Sequence, residues 1–244
     1  MGQLSHHRVR GLPGVRILQT VGAVLLALVL LNGCSSGNHP RNITLTFVRH
    51  AESEANAAQI IDTTVPGPPL SAEGMQQALQ GAKELSANQY DGIYASAMQR
   101  AQQTAEPLSA ALGRQVEVLP GLNEIDAGWF EGKSDTIAEA TYLLAPIDWL
   151  RSDRTSTIPG SVNGNEFNDQ FQAAVRKMYV RGDANPVAFS HGAAIMIWTL
   201  MNVRNPDDTL AVRHPLPNMG HVVITGNPIT GWKLVDWDGI RDFG

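Results

Sequence analysis

The sequence predicts an α/β fold, a three-layer sandwich with a mainly parallel central sheet and helices on both faces. Two observations carry this. From residue 43 onward, short apolar runs alternate with stretches of helical period, the pattern of a parallel sheet covered by its own crossover helices. Polar residues follow the apolar runs, Arg49-His50 after the first and Ser190-His191-Gly192 after the fourth, and sites in such sheets form beyond the carboxyl ends of strands.

The elements follow in order. Ile43 to Val48 reads as a strand, and Ser71 to Ala87 as an amphipathic helix capped by Ser71. Tyr90 to Ala95 reads as a second strand, Arg100 to Leu112 as a helix stopped by Gly113, and Gln115 to Leu119 as a third strand. The region 133–163 contains Ser, Thr and Pro and is expected to be irregular, a lid or shoulder. Asn165 to Tyr179 is helical, Val187 to Ser190 a strand, and Ala193 to Met201 an apolar, buried helix. His221 to Thr225 and Trp232 to Asp236 flank a six-residue turn rich in Gly, Asn and Pro, a hairpin.

Residues 1–33 are set aside as an export signal. Arg8, Arg10 and Arg16 precede an uncharged stretch, Ile17 to Leu31, shorter than the ~20 residues of a membrane span. Leu31-Asn32-Gly33-Cys34 resembles the lipobox of bacterial lipoproteins, which implies lipidation of Cys34, the one cysteine of the chain. Two or more acyl chains hold a protein stably at a bilayer. The expected organisation is therefore a lipoprotein signal at 1–33, a polar tether at 34–42, and one domain at 43–244, anchored on the outer face of a bacterial cell membrane. Removing the three signal arginines takes the formal charge from −5 to −8, which excludes nucleic acid as an expected partner. A lone cysteine allows no internal disulfide.

Arg49, His50, Ser96, Arg100, Glu124 and His191 all follow strands, so the fold should bring them to one edge of the sheet. Arginine forks match phosphate oxygens, and a neutral imidazole nitrogen is a competent nucleophile. Glu124 with a raised pKa would protonate the leaving alkoxide. The chemistry is phosphoryl transfer through a covalent histidine. No metal-ligand spacing and no cofactor motif accompanies it.

Arg49-His50-Ala51-Glu52-Ser53-Glu54-Ala55-Asn56 resembles the Arg-His-Gly motif of the histidine phosphatase superfamily, phosphoglycerate mutase-like branch. Leu70-Ser71-Ala72-Glu73-Gly74, the run Ser96 to Ala105, Leu122 to Gly128 and Ser190-His191-Gly192 match further motifs of that family in order. The resemblance implies His50 as the phosphorylated nucleophile, Arg49, Arg100 and His191 as the phosphate pocket, and Glu124 as proton donor. It also implies that Asn56 and Ser53 support a small phosphorylated substrate. Two positions depart from the motif: Ala51 stands for glycine, and Ala55 for a frequent aromatic. The whole chain is similar to mycobacterial-type cell-envelope lipoproteins with this fold.

Asp126, two residues on, rivals Glu124 as the acid. A second pair, Arg213-His214, precedes Pro215 in an expected loop. Trp129-Phe130 is expected to be a hydrophobic plug, and Glu166 a favourable charge at a helix N-terminus. The leading function is a phosphomonoesterase. A phosphoglycerate mutase-type phosphotransferase is the alternative, although 133–163 lacks the Arg-Arg-Ser-Tyr insert of such enzymes. A non-catalytic protein binding a phosphorylated ligand is the other. Oligomeric state and physiological substrate are left open.

Overall fold

Six strands form the sheet in this computed structural model, which describes residues 1–2, 40–136 and 141–243: β1 Ile43–Arg49, β2 Gly92–Ala95, β3 Val116–Val118, β4 Pro186–Ser190, β5 His221–Asn227 and β6 Gly231–Trp237. Their order is β3-β2-β4-β1-β5-β6. The four strands β1 to β4 pair in parallel, and β5 and β6 add an antiparallel edge beside β1. The expected α/β class and mainly parallel sheet are present. Cys34 and the leader from residue 3 lie outside the described residues, as does most of the tether.

Both faces of β1 are buried because its successive side chains point to opposite sides. Phe47 meets Phe171 of α5 (Gly164–Arg181) and Trp198 of α6 (Gly192–Asn202), with ring centroids 5.4 and 5.6 Å away. Val48 faces the other way, into a cluster with Ala101, Ala105 and Leu108 of α3 (Gln99–Leu112). The helix α2 (Ala72–Leu85) packs on α3 and is capped as expected, Gly74 N–H donating to Ser71 Oγ at 3.0 Å.

The close approach that fixes this region is at Gly74. A Cβ there would lie 1.9 Å from the carbonyl oxygen of Glu52, so only glycine lets α2 press against the chain leaving β1. The apolar α6 is buried along nearly its whole length, as its composition requires. Glu166 closes a capping box with Asn163 at the start of α5, the structural role expected of it.

Three expectations need correction. The region 133–163 is not irregular throughout, since Leu144–Leu150 forms a helix, α4, whose Trp149 is buried and stacks on Phe167. Pro146 lies in its first turn, where the missing N–H has no helical partner to lose, so proline is compatible with the helix. The hairpin turn is three residues, Pro228-Ile229-Thr230, because Gly226 and Gly231 belong to the ladder. Asn227 Oδ1 closes it by accepting from the N–H groups of Ile229 and Thr230. Trp129 is 75% exposed and plugs nothing, while Phe130 does pack on the core.

Candidate active site

The strand ends converge. Arg49 is the last residue of β1, paired in register with Ser190 of β4, and the ladder continues through a 2.9 Å bond from His50 N–H to the Ser190 carbonyl. Ser96 and Arg100 follow β2, and His191 caps the start of α6 directly after β4.

His50 is 4% exposed, and its ring is held at both nitrogens. Nδ1 lies 2.7 Å from the Ala51 carbonyl oxygen, so it carries the proton and donates it. Nε2 accepts from Arg100 Nε at 3.0 Å and therefore bears the lone pair. Burial first, then the charges of Arg100 and Arg49, pushes its pKa well below the usual imidazole value. The result is a neutral imidazole with an available Nε2.

His191 is fully buried, its ring centroid 5.0 Å from that of His50. Ser96 Oγ sits 2.7 Å from its Nε2 and accepts from Met98 N–H; when the hydroxyl gives its proton to Nε2, Nδ1 carries the ring proton. That Nδ1 has no partner in the protein, nor do Arg49 Nε and Arg100 NH1. Buried donors without partners are costly, and three of them around one nucleophile make a set suited to an anion. Arg49 is held by a 2.6 Å bond to the Leu216 carbonyl and Arg100 by a 3.0 Å bond to that of Asp62. Gly192 leaves room for this, since a Cβ there would crowd Arg49 Nε at 3.3 Å.

Glu124 reaches the start of α6. Its carboxylate accepts from the backbone N–H groups of Ala194 (2.8 Å), Ile125 (2.9 Å) and Ala193 (3.2 Å). Burial raises its pKa, and the backbone N–H groups and the two arginines only partly oppose this. A carboxyl with a raised pKa on the wall of a pocket is what a general acid needs. The rival Asp126 is exposed and turned to its own turn, accepting from Gly128 N–H at 2.8 Å.

A cleft of about 250 Å³ is lined by Arg49, His50, Ser53, Asn56, Arg100 and Glu124. Ser53 and Asn56 form a capping box on the short helix α1 (Glu54–Ala57). Asn56 Oδ1 is taken by Ser53 and by Asn218 Nδ2 at 3.2 Å, leaving its amide nitrogen as the donor for a ligand. The Ala51 side chain is fully buried against Leu70 and Ala78, away from the cleft, so its methyl group fills core space.

The profile of the histidine phosphatase superfamily (branch 1) matches residues 45–238. The chain belongs to that superfamily. A PE-PGRS family protein of Mycobacterium tuberculosis, PE_PGRS11, is 46% identical over 220 residues, 84% of this chain. The match spans only 38% of that relative's own length. Mycobacterial glucosyl-3-phosphoglycerate phosphatase shares the fold with a TM-score of 0.67 at 20% identity, covering 82% of this chain and all of that one. An Entamoeba histolytica phosphoserine phosphatase solved with 3-phosphoglyceric acid gives 0.64 at 20% identity, over 81% of this chain and all of its own.

For a histidine phosphatase, the cleft contains residues that the sequence motifs did not single out. Asp62, Asp135, Tyr142, Leu143, Met196, Pro215 and Leu216 also line it. Asn218 supports the nucleophile, donating to the His50 carbonyl at 3.0 Å. The Arg213-His214 pair itself is exposed and outside the cleft; the residues just after it are the ones that reach the site. The one available signal was the proline-rich loop 215–217 directly ahead of β5.

Proposed function

We propose that this chain hydrolyses phosphomonoesters through a phosphohistidine at His50, as a protein lipidated at Cys34 on the outer face of a cell membrane. The observation that carries the catalytic reading is the fixed tautomer of His50, with Nδ1–H bound to its own chain and the Nε2 lone pair beside Arg100. Substrate binding exchanges the Arg100 N–H···N contact for N–H···O contacts to phosphate. Arg49, His191 Nδ1–H and the Asn56 amide complete the cradle, and Ser53 holds Asn56 in place.

Nε2 attacks phosphorus, forming the N–P bond as the P–O bond to the alcohol breaks, and the arginines stabilise the charge spread over the equatorial oxygens. Glu124 gives its proton to the leaving oxygen. Water then attacks the phosphohistidine, Glu124 takes a proton from it, and phosphate departs with His50 neutral again. A protein that only binds a phosphorylated ligand has no use for an acid beside a nucleophile. The envelope location rests on the charge pattern of residues 1–33 and on Cys34.

The test is hydrolysis of p-nitrophenyl phosphate by the purified full chain, with EDTA present. Wild type should turn over and form an acid-labile phosphoenzyme; His50→Ala should do neither. Turnover that survives His50→Ala sinks the mechanism. Cys34→Ala should move the protein from the membrane to the soluble fraction, and unchanged fractionation rules out the anchor.

A further inference from the structure

The turn ahead of β5 is clipped to the nucleophile's own chain. Arg49 N–H donates to the Gly220 carbonyl at 2.8 Å, and Met219 N–H donates to the Arg49 carbonyl at 3.2 Å. The Leu216 carbonyl holds the Arg49 guanidinium, and Gly220 N–H closes the turn on the Pro217 carbonyl at 2.9 Å. Met219 bends the chain there with a left-handed φ of 64°. The turn carries the Asn218 side chain to a place where one nitrogen, Nδ2, faces two oxygens: the His50 carbonyl at 3.0 Å and Asn56 Oδ1 at 3.2 Å.

Both of those oxygens can only accept. Asn56 Oδ1 takes the backbone N–H of Ser53 at 3.2 Å, which fixes it as the oxygen of that amide, so the Asn218 group facing it is NH2 and spends both hydrogens. The helix that carries Asn56, α1, is a single turn with no buried residue, so packing does little to hold it over the cleft. We infer that Asn218 is a positioning residue for the phosphate cradle, tying the Asn56 amide to the main chain of His50 and so fixing the distance between that donor and the nucleophile. Asn218 lies outside the cleft lining and acts through these two groups. The inference rests on the phosphatase reading of the same cleft, in which Asn56 donates to the phosphate. An acceptor at position 218 would repel both oxygens, and a side chain without a donor would free α1 to shift relative to His50 Nε2.

A double-mutant cycle on the full chain tests it, read as dissociation constants for inorganic phosphate and kinetics on p-nitrophenyl phosphate. Asn56→Ala should weaken phosphate binding about tenfold or more, the loss of a hydrogen bond to a charged group. Asn218→Ala should weaken it about 3- to 10-fold beside Asn56 and less than about twofold once Asn56 is replaced by alanine, because the effect passes through that amide. KM for the ester should rise in step. Asn218→Ser, which keeps one donor, should fall between Asn218→Ala and wild type. Asn218→Asp is close to isosteric yet should bind phosphate more weakly than Asn218→Ala; the reverse order would show a role in size alone and overturn the inference. An equal loss in both backgrounds, or no loss with Asn218→Ala while Asn56→Ala is impaired, also overturns it and leaves the phosphatase reading standing. Normal phosphate binding by Asn56→Ala overturns it together with the place of Asn56 in the cradle. Wild type that neither binds phosphate nor hydrolyses the ester overturns both the inference and the phosphatase reading.

Discussion

Glu124→Gln keeps the length of the acid and removes its titrating proton, and the structure sets what each loss should cost. As a general acid, Glu124 is worth about 10² to 10⁴ in rate, some 3 to 5.5 kcal/mol of barrier. That factor applies only where the leaving group needs a proton. An alkoxide from glycerol 1-phosphate does; p-nitrophenolate leaves as a stable anion. The variant should therefore lose about 10² to 10⁴ in kcat on the alkyl ester and change little on the aryl one. Stability should move much less. The carboxylate takes three backbone N–H bonds, and glutamine keeps one oxygen to accept them while its amide nitrogen faces a donor. One lost bond costs about 0.5 to 1.5 kcal/mol, offset in part because a buried charge is no longer required. In a chain of this size that is a Tm change of a few degrees. Kinetics on both esters with a thermal melt decides the matter. Equal losses on the two esters would show that Glu124 positions groups and does not donate the proton, and no loss on either would place the acid elsewhere.

Four further outcomes follow from the same geometry. Activity should persist well below pH 6.5, because the folded-state pKa of His50 is depressed, and should fall on the alkaline side as Glu124 ionises; a kcat/KM profile on an alkyl ester reads both limbs. Stability carries the matching sign: His50 and His191 bind protons more readily when unfolded, so urea midpoints should drop as pH falls below about 6.5 and toward their folded values. Gly74→Ala forces a Cβ into the Glu52 carbonyl, which should cost about 1 to 3 kcal/mol, displace the chain after His50 and lower kcat with it; an unchanged melt would refute the contact. Inorganic phosphate at 100 times its Kd should stabilise the protein by about 2.7 kcal/mol, and His191→Ala should weaken that binding; a melt insensitive to phosphate would deny the cradle.

The α/β alternation was legible because each strand is short and apolar and each helix keeps its period. The strand-end rule then sufficed to gather Arg49, His50, Arg100, Glu124 and His191. Glu124 and Asp126 could not be separated by spacing, since the choice lies in contacts with α6, some 70 residues away in sequence. Asp62, Asp135 and Asn218 carried no signal for the same reason. They sit in or beside loops whose path depends on what they pack against, such as the 2.8 Å bond from Ile61 N–H to the Lys133 carbonyl that fastens one loop of the wall to another. Helix α4 was missed because it is only about two turns long with a proline in its first turn, and its Trp149 reveals a buried face only once Phe167 is placed beside it.

The site owes its chemistry to conditions that a stable core avoids. Arg100 is buried within electrostatic reach of a half-buried Arg49, burial disfavours the charged form of two histidines, and a half-buried carboxyl has its pKa raised. Each is unfavourable alone, and the burial of α6 makes the combination possible. That helix supplies His191 at its cap, the N–H groups that hold Glu124, and the glycine beside Arg49. Most of its remaining residues are apolar, and Trp198 ties it to β1 through Phe47 and to α5 through a stack on Phe171, centroids 5.0 Å apart. A helix buried so completely along its length resists movement at its first turn, which keeps His191 and the N–H groups that hold Glu124 in place. The strong core of the second half of the chain is thus the reason the strained cluster at the strand ends persists, and catalytic geometry and fold stability share the same set of contacts.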